Sequence, residues 1–328
     1  MNVVSLFNGM GTLRQALHDM NIKVNNYYSS EIKPYAIELQ QHHFPDVIQV
    51  GDITNWKEWD IDWKTIDLIG SGSPCQDLSA AGKRAGINGS RSSLFFTFVE
   101  ILEHVKKLNP DVLFLQENVG SASKKDVGTM SRALGVYPVR INSSLVTAQL
   151  RDRYYWTDIR TKQDGMFGDI VSDIPHPKDR NIMFKDIITD GQVKRVKANA
   201  MLEGDYKQFI KDPKAEDRYI KSRIKKGKQN ANIVYVDTDK HTCLNTGSGK
   251  GGTQRYLKHR NETTGMVTLI TDEEKQVRTV NKVEMCRLQG FQDDYCDILT
   301  KAKAGSLLGD GWTLPIIIHI LSFMNFKN

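Results

Sequence analysis

The sequence predicts an α/β protein: a doubly wound, mostly parallel sheet with a smaller domain inserted into it. Three observations predict this. Over residues 1–160, short apolar runs alternate with helical patterns, as parallel strands joined by helical crossovers do. Residues 161–275 lose that period and become polar, lysine-rich and dense in turn signals. From residue 277 a regular pattern resumes. The expected organisation is therefore one body, 1–160 with 276–328, carrying an insert at 161–275.

Residues 3–7 (Val-Val-Ser-Leu-Phe) read as a buried strand, followed by a glycine turn and a helix over about residues 13–20. Residues 26–29 are a second strand, leading into a helix over 34–42. Residues 67–70 are a third and 111–115 a fourth, with a helix over 94–106 between them. In the insert only isolated strands stand out, such as 233–236. Helix resumes after Val277, over 283–288 and again over 314–324. Open sheets of this kind place their sites at the carboxyl ends of the strands.

A chain of 328 residues, 39% hydrophobic and 26% charged, buries a core large enough to need no covalent staples. Its four cysteines, Cys75, Cys243, Cys286 and Cys296, form no C-x-x-C pair and no metal-ligand spacing. They suggest free thiols, a reducing compartment and no metal. The N-terminal residues lack the basic and apolar regions of a signal peptide. The apolar run 314–321 contains Pro315 and His319 and is short for a bilayer span. A cytoplasmic protein without membrane contact is expected. The net charge is +6, but residues 178–260 hold 20 Lys and Arg against 10 Asp and Glu, leaving the rest of the chain at −4. Such an insert is either a solvated lysine-rich face or a nucleic-acid-facing element.

The chemistry gathers at the strand ends. The first turn, Phe7-Asn8-Gly9-Met10-Gly11, either makes a plain tight turn or lets backbone approach a ligand at a helix N-terminus. It is not the dinucleotide G-x-G-x-x-G, which argues against a nicotinamide oxidoreductase, and there is no Walker lysine. Glu31, 20 residues after Gly11, suits a ribose diol, and Asp52 suits an adenine amino group. Together they point to a nucleoside-bearing cofactor. Cys75 follows the third strand in Gly72-Ser73-Pro74-Cys75-Gln76, before a glycine- and serine-rich loop that reaches Ser93. A cysteine at a strand end is often a small buried hydrophobe. Here Pro74 and the loop put the thiol at a rim instead. Glu117, in Gln116-Glu117-Asn118-Val119, ends the fourth strand. Arg151 and Arg153, two residues apart, share one face if the segment is a strand.

At these residues the chain resembles the cytosine-C5 DNA methyltransferase family, over roughly residues 3–160 and 277–324. Phe-x-Gly-x-Gly (7–11), Pro-Cys-Gln (74–76), Glu-Asn-Val (117–119) and Gln-x-Arg-x-Arg (149–153) stand in the family's order. The tail, Leu308-Gly309-Asp310-Gly311-Trp312-Thr313-Leu314-Pro315, looks like that of the eukaryotic de novo enzymes, as do Ser73 and Asp77-Leu78-Ser79. Asp310 departs from the asparagine or arginine usual there. The eukaryotic reader domains are absent, so a compact bacterial or phage enzyme fits better.

The resemblance implies a Rossmann-like fold and methyl transfer from S-adenosylmethionine, released as S-adenosylhomocysteine, to a flipped-out cytosine of double-stranded DNA. It implies a monomer at the nucleoid. Cys75 would be the nucleophile and Glu117 the partner of cytosine N3, with Arg153 and Arg151 orienting the base or Glu117. Cofactor contacts would come from Phe7, Gly9, Gly11, Glu31, Ile32, Asp52, Ile53, Pro74, Leu94 and Trp312. The tail helix would fold back beside the first strand, making the target-recognition domain an insertion. The Cys-Phe-Thr signature of the family's RNA-modifying branch is missing, and a catalytically dead DNA-binding regulator would lack the intact Pro-Cys and Glu-Asn-Val residues. Within the insert, the loop 246–255 is either a flexible surface loop or a DNA reader. In the second case Arg255 would pair with guanine, Gln254 with adenine and Lys250 with phosphate.

Overall fold

A computed structural model of the protein describes residues 1–74, 94–165, 168–193, 196–201, 233–237 and 275–325. Its centre is a seven-stranded sheet. Strand β1 (Asn2–Leu6) lies between β2 (Asn26–Ser30) and β4 (Leu68–Ser71), parallel to both, and β3 (Ile48–Gln49) adds a short edge. On the other side β5 (Leu113–Val119) continues the parallel set. Then β8 (Asp152–Thr157) and β6 (Val139–Asn142) close the sheet antiparallel, giving the order β3-β2-β1-β4-β5-β8-β6. The chain runs outward from β1 to β3 and returns across it to β4. The carboxyl ends of β1 and β4 thus flank the point where strand order reverses, the usual ligand crevice of such sheets.

Alternation along the strands builds two cores. Val3 faces α1 (Thr12–Asp19) and α2 (Pro34–His43), where Leu13, Leu17 and Leu39 are buried. Val4 faces α3 (Leu94–Leu108) and α4 (Lys124–Leu134) across Ile69, Phe95, Phe98 and Met130. Helix α4 starts on a Ser123 cap, whose Oγ accepts the Asp126 N–H, and stops at Gly135, where φ is +70°.

Beyond β8, a hairpin pairs β9 (Thr161–Asp164) with β10 (Asp169–Ser172). Next come α5 (Phe184–Ile187) and β11 (Ala198–Asn199), which is parallel to β7 (Gln149–Leu150). Phe184, Ile187, Ala198 and Met201 are buried in the same core as Leu13 and Met285, so the described residues up to 201 pack on the body. The strand at 233–236 is not isolated: β12 (Ile233–Asp237) pairs antiparallel with β13 (Lys275–Thr279). Val277 therefore lies in a strand, and helix begins only at α6 (Lys282–Gln289), behind an Asn281–Glu284 capping box.

The last two helices, α7 (Lys301–Asp310) and α8 (Leu314–Leu321), are divided by the turn that carries Trp312. Lys301–Leu321, which includes the short apolar run 314–321, is by length and composition alone apolar enough to cross a membrane, yet 67% of its most apolar stretch is buried within the protein. The reason is the fold. Ile316, Ile317 and Ile320 fill the core beside Leu13 and Leu17, and α8 packs against α1.

Candidate active site

The turn after β1 is shaped by glycine and held from below by buried polar groups. Gly9 and Gly11 have φ of +57° and +83°, and Phe7 also has a positive φ, +55°. Asn8 anchors the turn. Its Oδ1 accepts from Ser5 Oγ at 2.7 Å and Tyr27 Oη at 3.0 Å, and its Nδ2 donates to Ser29 Oγ at 2.9 Å. Ser29 donates in turn to Gln40, whose Nε2 donates to the Gly9 carbonyl at 2.6 Å. Burial raises the pKa of Tyr27, so its hydroxyl stays a donor. Tyr295 Oη donates to the Met10 carbonyl at 2.8 Å, and the Tyr295 ring stacks on His43 at 4.1 Å. Buried polar groups satisfied in this way fix the loop before any ligand arrives. None of Asn8, Gln40 or Tyr295 was singled out from sequence, because each is an ordinary polar residue until its partners are known.

Glu31, just past β2, binds both loops. Its Oε2 accepts the Gly9 N–H at 2.7 Å, while Oε1 accepts those of Ile32 at 2.8 Å and Lys33 at 2.9 Å. A carboxylate has about four acceptor positions, so capacity remains for a further hydroxyl. Ile32 is 68% exposed beside it, an apolar surface without a core to cover it. Asp52 caps a short 3₁₀ turn through the Thr54 N–H and hydroxyl on one oxygen. The Ile53 side chain is buried in the core with Trp56 and Phe98, so it offers a ligand main-chain atoms only. Phe7 and Leu94 are partly buried against that same core, and Pro74 is half-buried.

The ends of β4 and β5 meet at a carboxylate. Glu117 is 8% exposed. Arg153 Nε pairs with its Oε1 at 2.8 Å, and Trp312 Nε1 donates to its Oε2 at 3.1 Å. The flanking residues point the other way along the strand: Gln116 Nε2 donates to Ser73 Oγ at 2.9 Å, and Asn118 Nδ2 lies 3.4 Å from the Ser73 carbonyl. The strand that presents Glu117 therefore also anchors Ser73. Cys75 itself lies outside the described residues, as do Lys250, Gln254 and Arg255.

The two arginines part company. Arg151 falls between β7 and β8, where the chain changes strand partner, so the two-residue spacing does not put both side chains on one face. Its Nη2 donates to the carbonyls of Gly309 at 3.1 Å and Gly311 at 2.8 Å, far from Glu117 in role. Gln289 donates to the Leu308 carbonyl and accepts from Thr313 Oγ1 at 2.9 Å. Arg151 and Gln289 thus clamp the turn that presents Trp312. Asp310, the departure in the tail, pairs with Lys33 at 2.8 Å, joining the tail to the loop after β2. No group of three or more metal-ligating side chains occurs among the described residues.

A doubly wound, mostly parallel sheet with a glycine turn after β1, an acidic residue after β2 and a buried carboxylate within β5 defines a Rossmann-like α/β fold. The C-5 cytosine-specific DNA methylase model matches residues 1–324, and the chain belongs to that family. It is a DNA cytosine-5-methyltransferase, of a family that uses S-adenosylmethionine. Among its relatives, the type II methyltransferase M1.ScrFI of Lactococcus lactis subsp. cremoris is 27% identical over 98% of this chain and 77% of its own. The type II methyltransferase M.NlaX of Neisseria lactamica is 26% identical over 98% and 95%. Among solved structures, the Entamoeba histolytica methyltransferase EhMeth has a TM-score of 0.59 at 13% identity, over 98% of this chain and 97% of that one. The S. pombe Dnmt2 methyltransferase has a TM-score of 0.56 at 14% identity, over 99% and 100%. These likenesses show the fold.

Proposed function

We propose that the protein methylates C5 of a cytosine flipped out of a specific short duplex sequence, through a covalent bond between Cys75 Sγ and cytosine C6. The observation that carries this reading is the Glu117 carboxylate, held by Arg153 and Trp312 on the strand that also anchors Ser73. C5 of cytosine is too weak a nucleophile to take a methyl group unaided. Addition of the Cys75 thiolate at C6 turns the ring into an enamine whose C5 is nucleophilic. Glu117 hydrogen-bonds N3 and holds a proton there as negative charge develops in the ring. Once C5 has accepted the methyl group, loss of its proton and elimination of the thiolate from C6 restore aromaticity. Within a duplex C6 and C5 are stacked, so the base must leave the helix, at a cost of a few kcal/mol. Arg153 orients Glu117. Arg151 acts through the tail it clamps.

The crevice at the ends of β1 and β2 fits S-adenosylmethionine: acceptor capacity on Glu31, exposed Ile32 beside it, and Asp52 with one oxygen committed to its cap. When bound, that cofactor supplies an electrophilic methyl on a sulfonium sulfur. Glu31 would take the ribose hydroxyls and Asp52 the adenine amino group. Phe7, Gly9, Gly11, Ile32, Ile53, Pro74, Leu94 and Trp312 would surround the rest. Glu31→Ala is expected to weaken S-adenosylhomocysteine binding by about 1.5–3 kcal/mol, the usual worth of a charge-assisted hydrogen bond. Calorimetry showing unchanged affinity would move the ribose contact elsewhere.

Residues 161–275 form the target-recognition domain in this reading, with their excess of positive charge towards DNA. Arg255 reads a guanine, Gln254 an adenine, and Lys250 holds a phosphate. Arg255→Ala should cost about 1–3 kcal/mol on the correct site and relax one position of the motif, whereas Lys250→Ala should weaken all sequences alike and reduce the salt slope by about one. Bisulfite sequencing of DNA from cells expressing each variant reads the modified base and its context together. A motif and rate unchanged by Arg255→Ala would exclude this loop as the reader.

A further inference from the structure

Trp312 reaches further than a cofactor contact needs to. Its indole Nε1 lies 3.1 Å from Glu117 Oε2, a bond between residues 195 positions apart. Arg153 Nε takes the other oxygen at 2.8 Å, and the Glu117 side chain is 10% exposed. One donor on each oxygen fixes both the position and the plane of a carboxylate, which a single donor does not.

The tryptophan is itself seated. Its ring lies against the backbone at the end of β4: a Cβ on Gly72 would stand 2.8 Å from Nε1, and one on Gly70 would stand 3.5 Å from Cη2. Glycine at 72 leaves room for the indole, whereas at 70 the close neighbour is Leu13. The turn that carries it is gripped by Arg151 on the Gly309 and Gly311 carbonyls and by Gln289 and Ser143 through Thr313. The indole N–H thus links the tail directly to β5.

We propose that Trp312 is the positioning residue of Glu117, setting its carboxylate in the plane in which it meets the ring nitrogen of the flipped cytosine. The tail then contributes to activation of the base as well as to cofactor binding, and one ring connects the two halves of the site. This rests on the base-activation reading above.

The test removes the cofactor. Reversible addition of the Cys75 thiolate at C6 makes C5 basic. C5 then takes a proton from water, loses a hydrogen isotope to water, and elimination of the thiolate regenerates cytosine. Duplex DNA tritiated at cytosine C5 therefore releases tritium without any methyl donor. Trp312→Phe keeps an aromatic ring over Gly70 and Gly72 but loses the N–H, and its release should be slower by about tenfold or more, the loss of one hydrogen bond to a charged group. Release at the wild-type rate would overturn the proposal and leave Trp312 a cofactor contact only. If the wild-type protein itself releases no tritium, the base-activation reading fails, and this inference with it.

Should Trp312→Phe melt at a lower temperature, the Glu117→Gln background decides. A residue acting through Glu117 loses most of its effect there, so the double variant should match Glu117→Gln alone. A further tenfold or so drop in that background would instead mark a general structural role.

Discussion

Replacing Cys75 by alanine is expected to lower turnover by about 10⁴-fold or more, since without the thiolate the ring is never activated. The variant should still fold and bind DNA, because the substitution removes a single heavy atom. The nucleophile is identified by a duplex with 5-fluorocytosine at the target. Fluorine cannot leave C5 as a proton does, so the adduct persists and peptide mapping should find it on Cys75. The alternatives among the described residues are poorly placed. Cys286 and Cys296 are both buried with no exposed surface. A hydrogen bond with Cys286, together with burial, pushes the Cys296 thiol well above its usual range. An adduct on Cys243, Cys286 or Cys296, or full turnover by Cys75→Ala, would refute the assignment.

Glu117→Gln should lower kcat by about 10²–10⁴-fold, the usual contribution of a positioned acid–base group. Shape is nearly conserved, so DNA and cofactor affinities should change far less than kcat. The charge is not conserved. Arg153 has a side chain only 13% exposed, and it would lose its anionic partner. Breaking one member of a buried pair leaves the other uncompensated, at a cost of about 3–5 kcal/mol when burial is complete. A lowered melting temperature is therefore expected as well. Measuring kcat, both binding constants and thermal stability on the same preparation separates the two effects. A variant that melts early yet turns over at the wild-type rate would make Glu117 a structural acid.

Much of the sheet was legible because parallel, doubly covered strands are short apolar runs between turn residues. Strands β1, β2, β4 and β5 and helices α1 to α3 follow such runs to within a residue or two at most ends. The two-residue edge β3 has too little pattern to detect. Helix α7 and the strand β13 were missed for different reasons. Helix α7 is polar at its start and holds Gly305 and Gly309, which blur its period, and β13 falls where the sequence suggests that helix resumes.

The site divides in the same way. Of the residues recognisable by type and place, Glu31 lies just past β2 and Glu117 inside β5 near its end. What was not legible depends on partners distant in sequence. Two arginines spaced as on a strand proved to serve different elements, because Arg151 sits where the chain leaves β7 for β8. The bond from Trp312 to Glu117 joins the two ends of the chain, and only the clamped tail turn brings them together. Gln116 and Asn118 flank Glu117 in sequence, yet both side chains bond Ser73.

The most direct test of the account is nucleoside mass spectrometry of duplex DNA incubated with the purified protein and S-adenosylmethionine, with tRNA as a parallel substrate. The account predicts 5-methyldeoxycytidine in the DNA, confined on sequencing to one short motif, and none from Cys75→Ala. Methyl groups on adenine or on cytosine N4, or 5-methylcytidine in the tRNA with none in the DNA, would contradict it.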